Sequence, residues 1–159
     1  MKIIILFICL CLASSIGGCK NKDESNYNQL SIANPYDSVE SANDFSDNLG
    51  ITLDAPFGAT DVSYFILNKK IAQVDFVLND IHFTFRASKT VKDMLHGVYE
   101  PVKKYEQFFI ENNIEVNINT TDDGTQTVTW SNNNINYSLT IDGLLDTDTI
   151  LSFVQASIQ

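Results

Sequence analysis

The fold of this chain is decided by two alternating stretches separated by a two-residue turn, KIAQVDFVL (residues 70–78) and IHFTFRA (residues 81–87). Apolar side chains recur at every second position with polar side chains between them, which is the period of a β-strand with one buried face. Asn79 and Asp80 join the stretches and favour a turn. The segment therefore predicts a hairpin with one apolar and one polar face. The apolar positions are Ala72, Val74, Phe76, Leu78, Ile81, Phe83, Phe85 and Ala87.

The same alternation returns three times in the second half of the chain. The stretches are residues 114–119, 127–131 and 135–141. Asp123 and Gly124 supply a tight-turn signal after the first stretch, and three consecutive asparagines separate the last two. Strands joined by short turns pair antiparallel. We therefore expect these stretches to form a mainly antiparallel sheet with the first hairpin.

Amphipathic segments at both ends of the domain predict helices. Apolar residues recur at helical spacing in residues 38–49, before Gly50, and again in residues 147–158. The candidate N-cap residues are Asp37 or Ser38 for the first helix and Asp146 or Thr147 for the second. One apolar sheet face and two amphipathic helices can bury each other. The expected fold is α+β: a curved, mainly antiparallel sheet with an N-terminal and a C-terminal helix packed on its apolar face.

Two segments are less regular. Residues 61–68 are apolar on both sides and predict a more enclosed strand. Within residues 89–109, positions 91–95 can form a helical turn. Residues 105–110 fit either a strand, paired with the next strand across Asn112 and Asn113, or another helix. We favour the strand.

The start of the chain has the layout of a secretory signal, with Lys2, an apolar run over residues 3–13, and small residues before Cys19. The apolar run is shorter than the about 20 residues that a bilayer-spanning helix needs. The sequence IGGC at residues 16–19 is followed at once by polar and charged residues. This arrangement resembles the lipobox of bacterial lipoproteins.

The lipobox resemblance implies that residues 1–18 are a signal peptide and that the Cys19 sulfur carries a diacylglycerol with acyl chains such as palmitate. Cys9 and Cys11 would leave with the signal peptide, so the mature chain would form no internal disulfide. The predicted location is the extracytoplasmic face of a bacterial cell membrane. The alternative is a cleaved, fully secreted protein in which Cys19 is incidental.

Residues 19–33 are polar and aperiodic and predict a lipidated flexible tether, while residues 34–159 have the length of a single domain. NPYDSVESANDFSDNLGITLDAP (residues 34–56), the central hairpins and TVTWSNNNINYSLTIDG (residues 127–143) resemble a bacterial domain of unknown function. That domain occurs in lipoproteins of Gram-positive bacteria and in the extracytoplasmic part of some anti-sigma factors. The anti-sigma architecture also has a transmembrane helix and a cytoplasmic segment before the domain, which we do not find here. The resemblance implies no catalytic residues.

The charge of the chain argues against nucleic acid as a partner. Without residues 1–18, nine Lys and Arg remain against twenty Asp and Glu, a net charge of about −11. Such a surface repels phosphate backbones. The partners that we expect are the membrane, through the lipid, and an envelope protein or glycan.

No motif in the sequence predicts a metal, a cofactor or catalysis. His82 and His96 have no Cys, His or Glu at ligand spacing, so both are interpreted as solvated histidines. Asp142, Asp146 and Asp148 miss the spacing of a calcium loop, and Asp146 is better explained as a helix cap. Nucleophile-elbow and phosphate-loop motifs are also absent from the sequence. We therefore do not expect an enzyme.

The polar face of the predicted sheet is the one candidate binding surface. It is rich in uncharged hydrogen-bonding groups that could recognise a glycan or an extended peptide, although an ordinary solvated face would look the same. The inward positions expected for Trp130, Tyr137 and the phenylalanines argue against sugars, which stack on exposed rings. The candidate ligand-binding residues are His82, Thr84, Arg86, Asn117, Asn119, Thr127 and Thr129.

Three functions remain open. The favoured one is a membrane-anchored, non-enzymatic binding or sensing module. The second is a carrier that holds a lipid or other hydrophobic ligand between the sheet and the helices. The third, a hydrolase of the cell envelope, would require a cleft that brings His82 or His96 close to carboxylates.

Overall fold

The computed structural model describes residues 34–158, which belong to one compact unit. A short turn at Glu111–Asn113 joins two of its eight strands. In chain order the elements are β1 (Tyr36–Val39), α1 (Asn43–Leu49), β2 (Thr60–Leu67), β3 (Ile71–Leu78), β4 (Ile81–Ser88), β5 (Val102–Ile110), β6 (Ile114–Thr121), β7 (Gln126–Asn132), β8 (Ile135–Ile141) and α2 (Thr147–Ser157).

The strands form one antiparallel sheet in the order β1-β2-β3-β4-β8-β7-β6-β5. The hairpin predicted from the alternating stretches is β3–β4, and it lies inside the sheet. The last strand, β8, pairs with β4, placing Leu139 opposite Phe85 and Ser138 opposite Arg86. This pairing joins the two halves of the chain. The predicted antiparallel sheet is therefore confirmed, while its curvature stays a prediction.

The apolar face of the sheet carries the core, and α2 lies on it. Ile150 and Val154 of α2 are buried, and the Phe153 ring lies 5.4 Å from the Phe85 ring, centroid to centroid. On the sheet, the buried apolar residues are those of the predicted alternation, including Val74, Phe76, Phe83, Phe85, Ala87, Val116, Ile118, Val128, Trp130, Leu139 and Ile141. Side chains of α2 and of the sheet therefore form a shared apolar core.

The first helix is shorter than predicted. Residues 36–39 pair with β2 as strand β1, so Asp37 and Ser38 do not cap a helix. Instead the Asp44 carboxylate accepts hydrogen bonds from the backbone N–H groups of Glu40 and Ser41 just ahead of α1. Phe45 of α1 is fully buried, and its ring lies 5.9 Å from that of Tyr64.

Residues 102–110 form β5, which confirms the strand interpretation of this segment. Residues 91–95 form no helical turn. They belong to a loop, residues 89–100, that we call the covering loop because it lies over part of the sheet's polar face. Hydrogen bonds from sheet side chains hold it there, as described below.

No helix among residues 34–158 combines the length and the apolar character needed to cross a membrane. The predicted signal peptide, Cys19 and the tether lie outside the described residues.

Candidate functional site

The covering loop is attached to the polar face by three side chains of the sheet. Each donates a hydrogen bond to a backbone carbonyl of the loop. The pairs are Arg86 Nη1 to Leu95 O at 3.0 Å, Asn136 Nδ2 to Val91 O at 3.2 Å, and Thr140 Oγ1 to His96 O at 3.2 Å. Leu95 is 2% exposed, so the loop also contributes a buried apolar side chain. The loop is thus a packed part of the polar face.

Under the loop, the side chains of β3 and β4 form a hydrogen-bonded network. Arg86 Nε donates to Gln73 Oε1 at 2.7 Å, and Gln73 Nε2 donates to Asp75 Oδ2 at 2.8 Å. Thr84 Oγ1 donates to Asp75 Oδ1 at 2.8 Å. Thr84 and Arg86, which the sequence placed among ligand-binding residues, therefore already have partners within the protein.

Burial divides the predicted polar face into two zones. Gln73, Thr127 and Ser138 are at most 3% exposed, so this zone is neither a solvated surface nor an open binding surface. The alternation predicts which face a side chain takes and carries no information about a loop that covers that face. His82 is exposed on β4, at the end of the strand away from the covering loop.

The second zone is an open groove of about 560 Å³ between the covering loop and strands β6 and β7, called the polar groove here. Three predicted residues, Asn117, Asn119 and Thr129, line it. His82, Thr84, Arg86 and Thr127 do not. The lining also includes residues that the sequence did not assign to the site, among them Lys92, Asp93, His96, Glu115 and Asn136.

The groove combines uncharged polar groups with one positive side chain, Lys92, and two negative ones, Asp93 and Glu115. Hydrogen bonds from Asn117 and then Gln107 lower the pKa of the Glu115 carboxyl, and the positive charge of Lys92 adds to this effect. Burial, followed by the charge of Arg86, lowers the pKa of His96. His96 is therefore neutral at physiological pH. Its Nδ1 accepts a hydrogen bond from the Val98 N–H at 3.0 Å.

Two exposed aromatic rings flank the groove on edge strand β5. Tyr105 and Phe109 are 57% and 61% exposed, and they pair with Asn119 and Glu115 of β6, so they share the groove's face of the sheet. The Tyr105 hydroxyl donates to Asn117 Oδ1 at 2.5 Å. The prediction that the phenylalanines point inward is wrong for Phe109 and for Phe57, which is fully exposed. A period-two reading of Tyr105, Gln107 and Phe109 would have placed all three on the polar face.

Trp130 is 3% exposed and stacks with Tyr137 on the apolar face, as predicted, with ring centroids 5.3 Å apart. Near these rings, a second pocket of about 380 Å³ lies between α2 and residues 52–57. Its lining is mostly apolar and includes Leu53, Pro56, Phe57, Phe85, Tyr137 and Phe153. Burial raises the pKa of the Tyr137 hydroxyl. This apolar pocket suits a hydrophobic ligand better than a polar one.

Within residues 34–158, no group of three or more His, Cys, Asp or Glu side chains is placed to hold a metal ion. The groove offers hydrogen-bonding groups and the charges of Lys92, Asp93 and Glu115 as its means of recognition, and the rings of Tyr105 and Phe109 lie beside it. Compared with known proteins, the chain matches no family model, no curated protein and no solved structure.

Proposed function

We propose that this protein is a lipid-anchored, extracytoplasmic binding module of a bacterial cell envelope, not an enzyme. The anchor is supported by the lipobox-like IGGC at residues 16–19. Mass spectrometry of the full chain purified from bacterial membranes tests it. We expect a first residue of Cys19 carrying one diacylglycerol on its sulfur, with or without an acyl chain on its amino group. An intact residue 1 or an unmodified Cys19 would contradict the anchor.

We propose a neutral glycan as the ligand of the polar groove. The observation that supports this proposal is that a groove lined by Asn and Thr side chains lies on the same face of the sheet as two exposed aromatic rings. Amide and hydroxyl groups match sugar hydroxyls, while the C–H face of a sugar ring buries apolar surface on Tyr105 or Phe109. The two rings are about 14 Å apart along β5, which fits a chain of several sugars.

The charges of the protein favour a neutral ligand over an anionic polymer. The groove itself carries two carboxylates, Asp93 and Glu115, against Lys92, and the complete chain has a net charge of −10. A polyanion would meet repulsion from the whole molecule at moderate salt. A neutral oligosaccharide would not be repelled by these charges.

Isothermal titration of the full chain with an N-acetylglucosamine hexasaccharide tests the ligand. We expect Tyr105→Ala and Asn117→Ala each to weaken binding by about tenfold, because each removes one stacking surface or one hydrogen-bonding partner. Phe57→Ala is the matched control, since Phe57 is fully exposed and lines the apolar pocket instead. Equal affinities for all three variants, or no heat of binding for the wild type, would contradict a glycan site in the groove.

A second candidate function is the carriage of a hydrophobic ligand, favoured by the apolar pocket. Its volume of about 380 Å³ falls within the usual range for small-ligand sites. A sheet that curves around α2, as the sequence predicts, would deepen this pocket. Displacement of a fluorescent fatty acid measures such binding, and Ala156→Trp, which places a large ring at the pocket wall, should abolish it. Unchanged fatty-acid binding by this variant would exclude the pocket as the carrier site.

A further inference from the structure

The apolar pocket between α2 and residues 52–57 has charge of only one sign in its lining. Asp54 is the one lining residue with a formal charge, and none of the lining residues is basic. Lys89 Nζ lies beside Gly50, ahead of the lining, and Lys89 is not part of it. The pocket is therefore an apolar space with a negative charge at its wall.

The Asp54 carboxylate is held in position by the protein. Its Oδ1 accepts hydrogen bonds from the Ala55 N–H at 2.8 Å and from the Tyr64 hydroxyl at 2.7 Å. Burial, followed by the hydrogen bond to Asp54 and its charge, raises the pKa of Tyr64 to about 12, so the hydroxyl keeps the proton that it donates. In the part of the chain that the structure describes, no basic side chain pairs with Asp54. Its charge is therefore available to a ligand.

The C-terminal end of α2 adds partial negative charge to the same pocket. Ala156 and Ser157, in the last turn of the helix, belong to the lining. Carbonyl groups at the end of a helix lack intrahelical partners and carry partial negative charge. The last turn of α2 contains no basic residue that would balance this charge. A positive group in this part of the pocket would be stabilised, and a negative one would be repelled.

The aromatic side chains of the lining favour a cation as well. Phe57, Phe85, Tyr137 and Phe153 contribute rings to the pocket. The faces of aromatic rings attract positive groups, and rings of this kind bind alkylammonium ligands in proteins. The same rings offer apolar surface to a hydrocarbon chain.

We propose that the apolar pocket binds an amphiphile with a positively charged head, an alkylammonium compound, with its chain against Phe85 and Phe153 and its head toward Asp54. This inference rests on the second candidate function, the carriage of a hydrophobic ligand, and names the class of that ligand. A fatty acid can use the same apolar walls, but its carboxylate would meet the negative charge of Asp54 and of the α2 end. It should therefore bind more weakly than an amine of equal chain length.

Binding of hexylammonium, hexanol and hexanoate to the full chain in a non-ionic detergent at pH 7 tests the inference. The three compounds have the same chain and differ in the charge of the head, and their short chains limit uptake by the detergent. Amide shifts of residues 52–57 in ¹H–¹⁵N NMR titrations give the affinities. We expect hexylammonium to bind about tenfold more tightly than hexanoate, with hexanol between them.

Asp54→Asn should reduce this preference to about threefold, a moderate change because Asp54 is exposed and its charge is screened by water. Asp47→Asn is the matched control. It removes the same charge from the chain, but Asp47 is exposed on α1 and does not line the pocket. It should leave the preference unchanged. Amide shifts far from the pocket show whether each variant keeps the fold.

Ala156→Trp separates this inference from the carrier function, because it obstructs the pocket at an exposed position whatever the charge of the ligand. Equal affinities for the three compounds, all abolished by Ala156→Trp, would overturn the preference for a cation and leave the carrier function standing. A preference that Asp54→Asn does not change would also overturn the inference. No binding of any compound, or binding that Ala156→Trp does not weaken, would overturn both.

Ala156→Trp should abolish the binding of all three compounds in a chain that otherwise keeps its amide spectrum.

Discussion

Arg86 is one of the three residues whose side chains connect the sheet to the covering loop. Its guanidinium donates to Gln73 on β3 and to the Leu95 carbonyl of the loop. The alternation of residues 81–87 predicted the face on which Arg86 lies. It could not predict that the Arg86 side chain would donate a hydrogen bond to the loop, because that contact depends on how residues 89–100 fold back over the sheet.

Gly97 is required next to Arg86 for two separable reasons. Its φ of +72° is a conformation that favours glycine, and a Cβ at this position would collide with Arg86 Nη1. We expect Gly97→Ala to lower the free energy of unfolding by about 1–3 kcal/mol, measured by urea titration.

The matched control is Gly58→Ala. Gly58 has a φ of +88°, but nothing lies within 4 Å of the position its Cβ would take. Gly58→Ala should therefore lower the free energy of unfolding only through the strained backbone conformation, by about 1 kcal/mol. Equal losses for the two variants would show that Arg86 is not held against the loop.

The lowered pKa of His96 should make the stability of the folded protein depend on pH. Its pKa is lowered in the folded state by burial and then by the charge of Arg86, so below the ordinary pKa the unfolded chain binds more protons than the folded one. Stability should therefore fall as the pH drops from 7 through about 6.5 and toward the folded pKa. His96→Gln should remove this component of the pH profile. An NMR titration of His96 with a midpoint at or above 6.5 would contradict the argument.

At the scale of elements, α2 begins where the sequence predicted. The Asp146 carboxylate accepts from the Thr149 N–H at 2.9 Å and from the Thr149 hydroxyl at 2.7 Å. Hydrogen bonds from the Thr149 side chain and then its backbone lower the pKa of Asp146. A capping aspartate followed by helical spacing is a local signal, so the sequence alone was sufficient here.

The cap gives a testable pH dependence. We expect Asp146→Ala to lower the melting temperature at pH 7, where the carboxylate is charged in both states. Folding lowers the pKa of the Asp146 carboxyl. The difference in melting temperature between Asp146→Ala and the wild type should therefore shrink as the pH falls through the ordinary range of carboxyl pKa values and then through the pKa of Asp146 in the folded state. Asp146→Asn keeps a capping oxygen without the charge, so its stability should vary less with pH. A loss in Asp146→Ala that stays constant down to pH 2 would exclude the carboxylate as the cause.

The elements that the sequence predicted poorly are those whose conformation depends on distant partners. Residues 36–39 look like a helix start, but they form β1 because the edge of β2 is open to them. Ile51 and Leu53, which follow α1, lie in no regular element and are buried in the core. By contrast, two alternating stretches joined by a short turn pair with each other because they are adjacent in the sequence. The hairpins were therefore predicted correctly.

At the scale of the whole molecule, the sheet separates two environments. Its apolar face is filled by α2, Phe45 of α1 and a large buried cluster. Its polar face is divided between the covered zone and the polar groove. The sequence predicted three of the groove residues, Asn117, Asn119 and Thr129. It missed Lys92 and His96, because these arrive from the covering loop and not from the alternating strands.

The central claim is that ligand is bound in the polar groove, beside the rings of β5. The most direct measurement is a ¹H–¹⁵N NMR titration of the full chain in detergent with an N-acetylglucosamine hexasaccharide. We expect saturable shifts at the amides of Tyr105, Phe109, Asn117, Asn119 and Thr129, with residues 52–57 and α2 unchanged. Shifts confined to residues 52–57 and α2, or no shift at any residue, would contradict the claim.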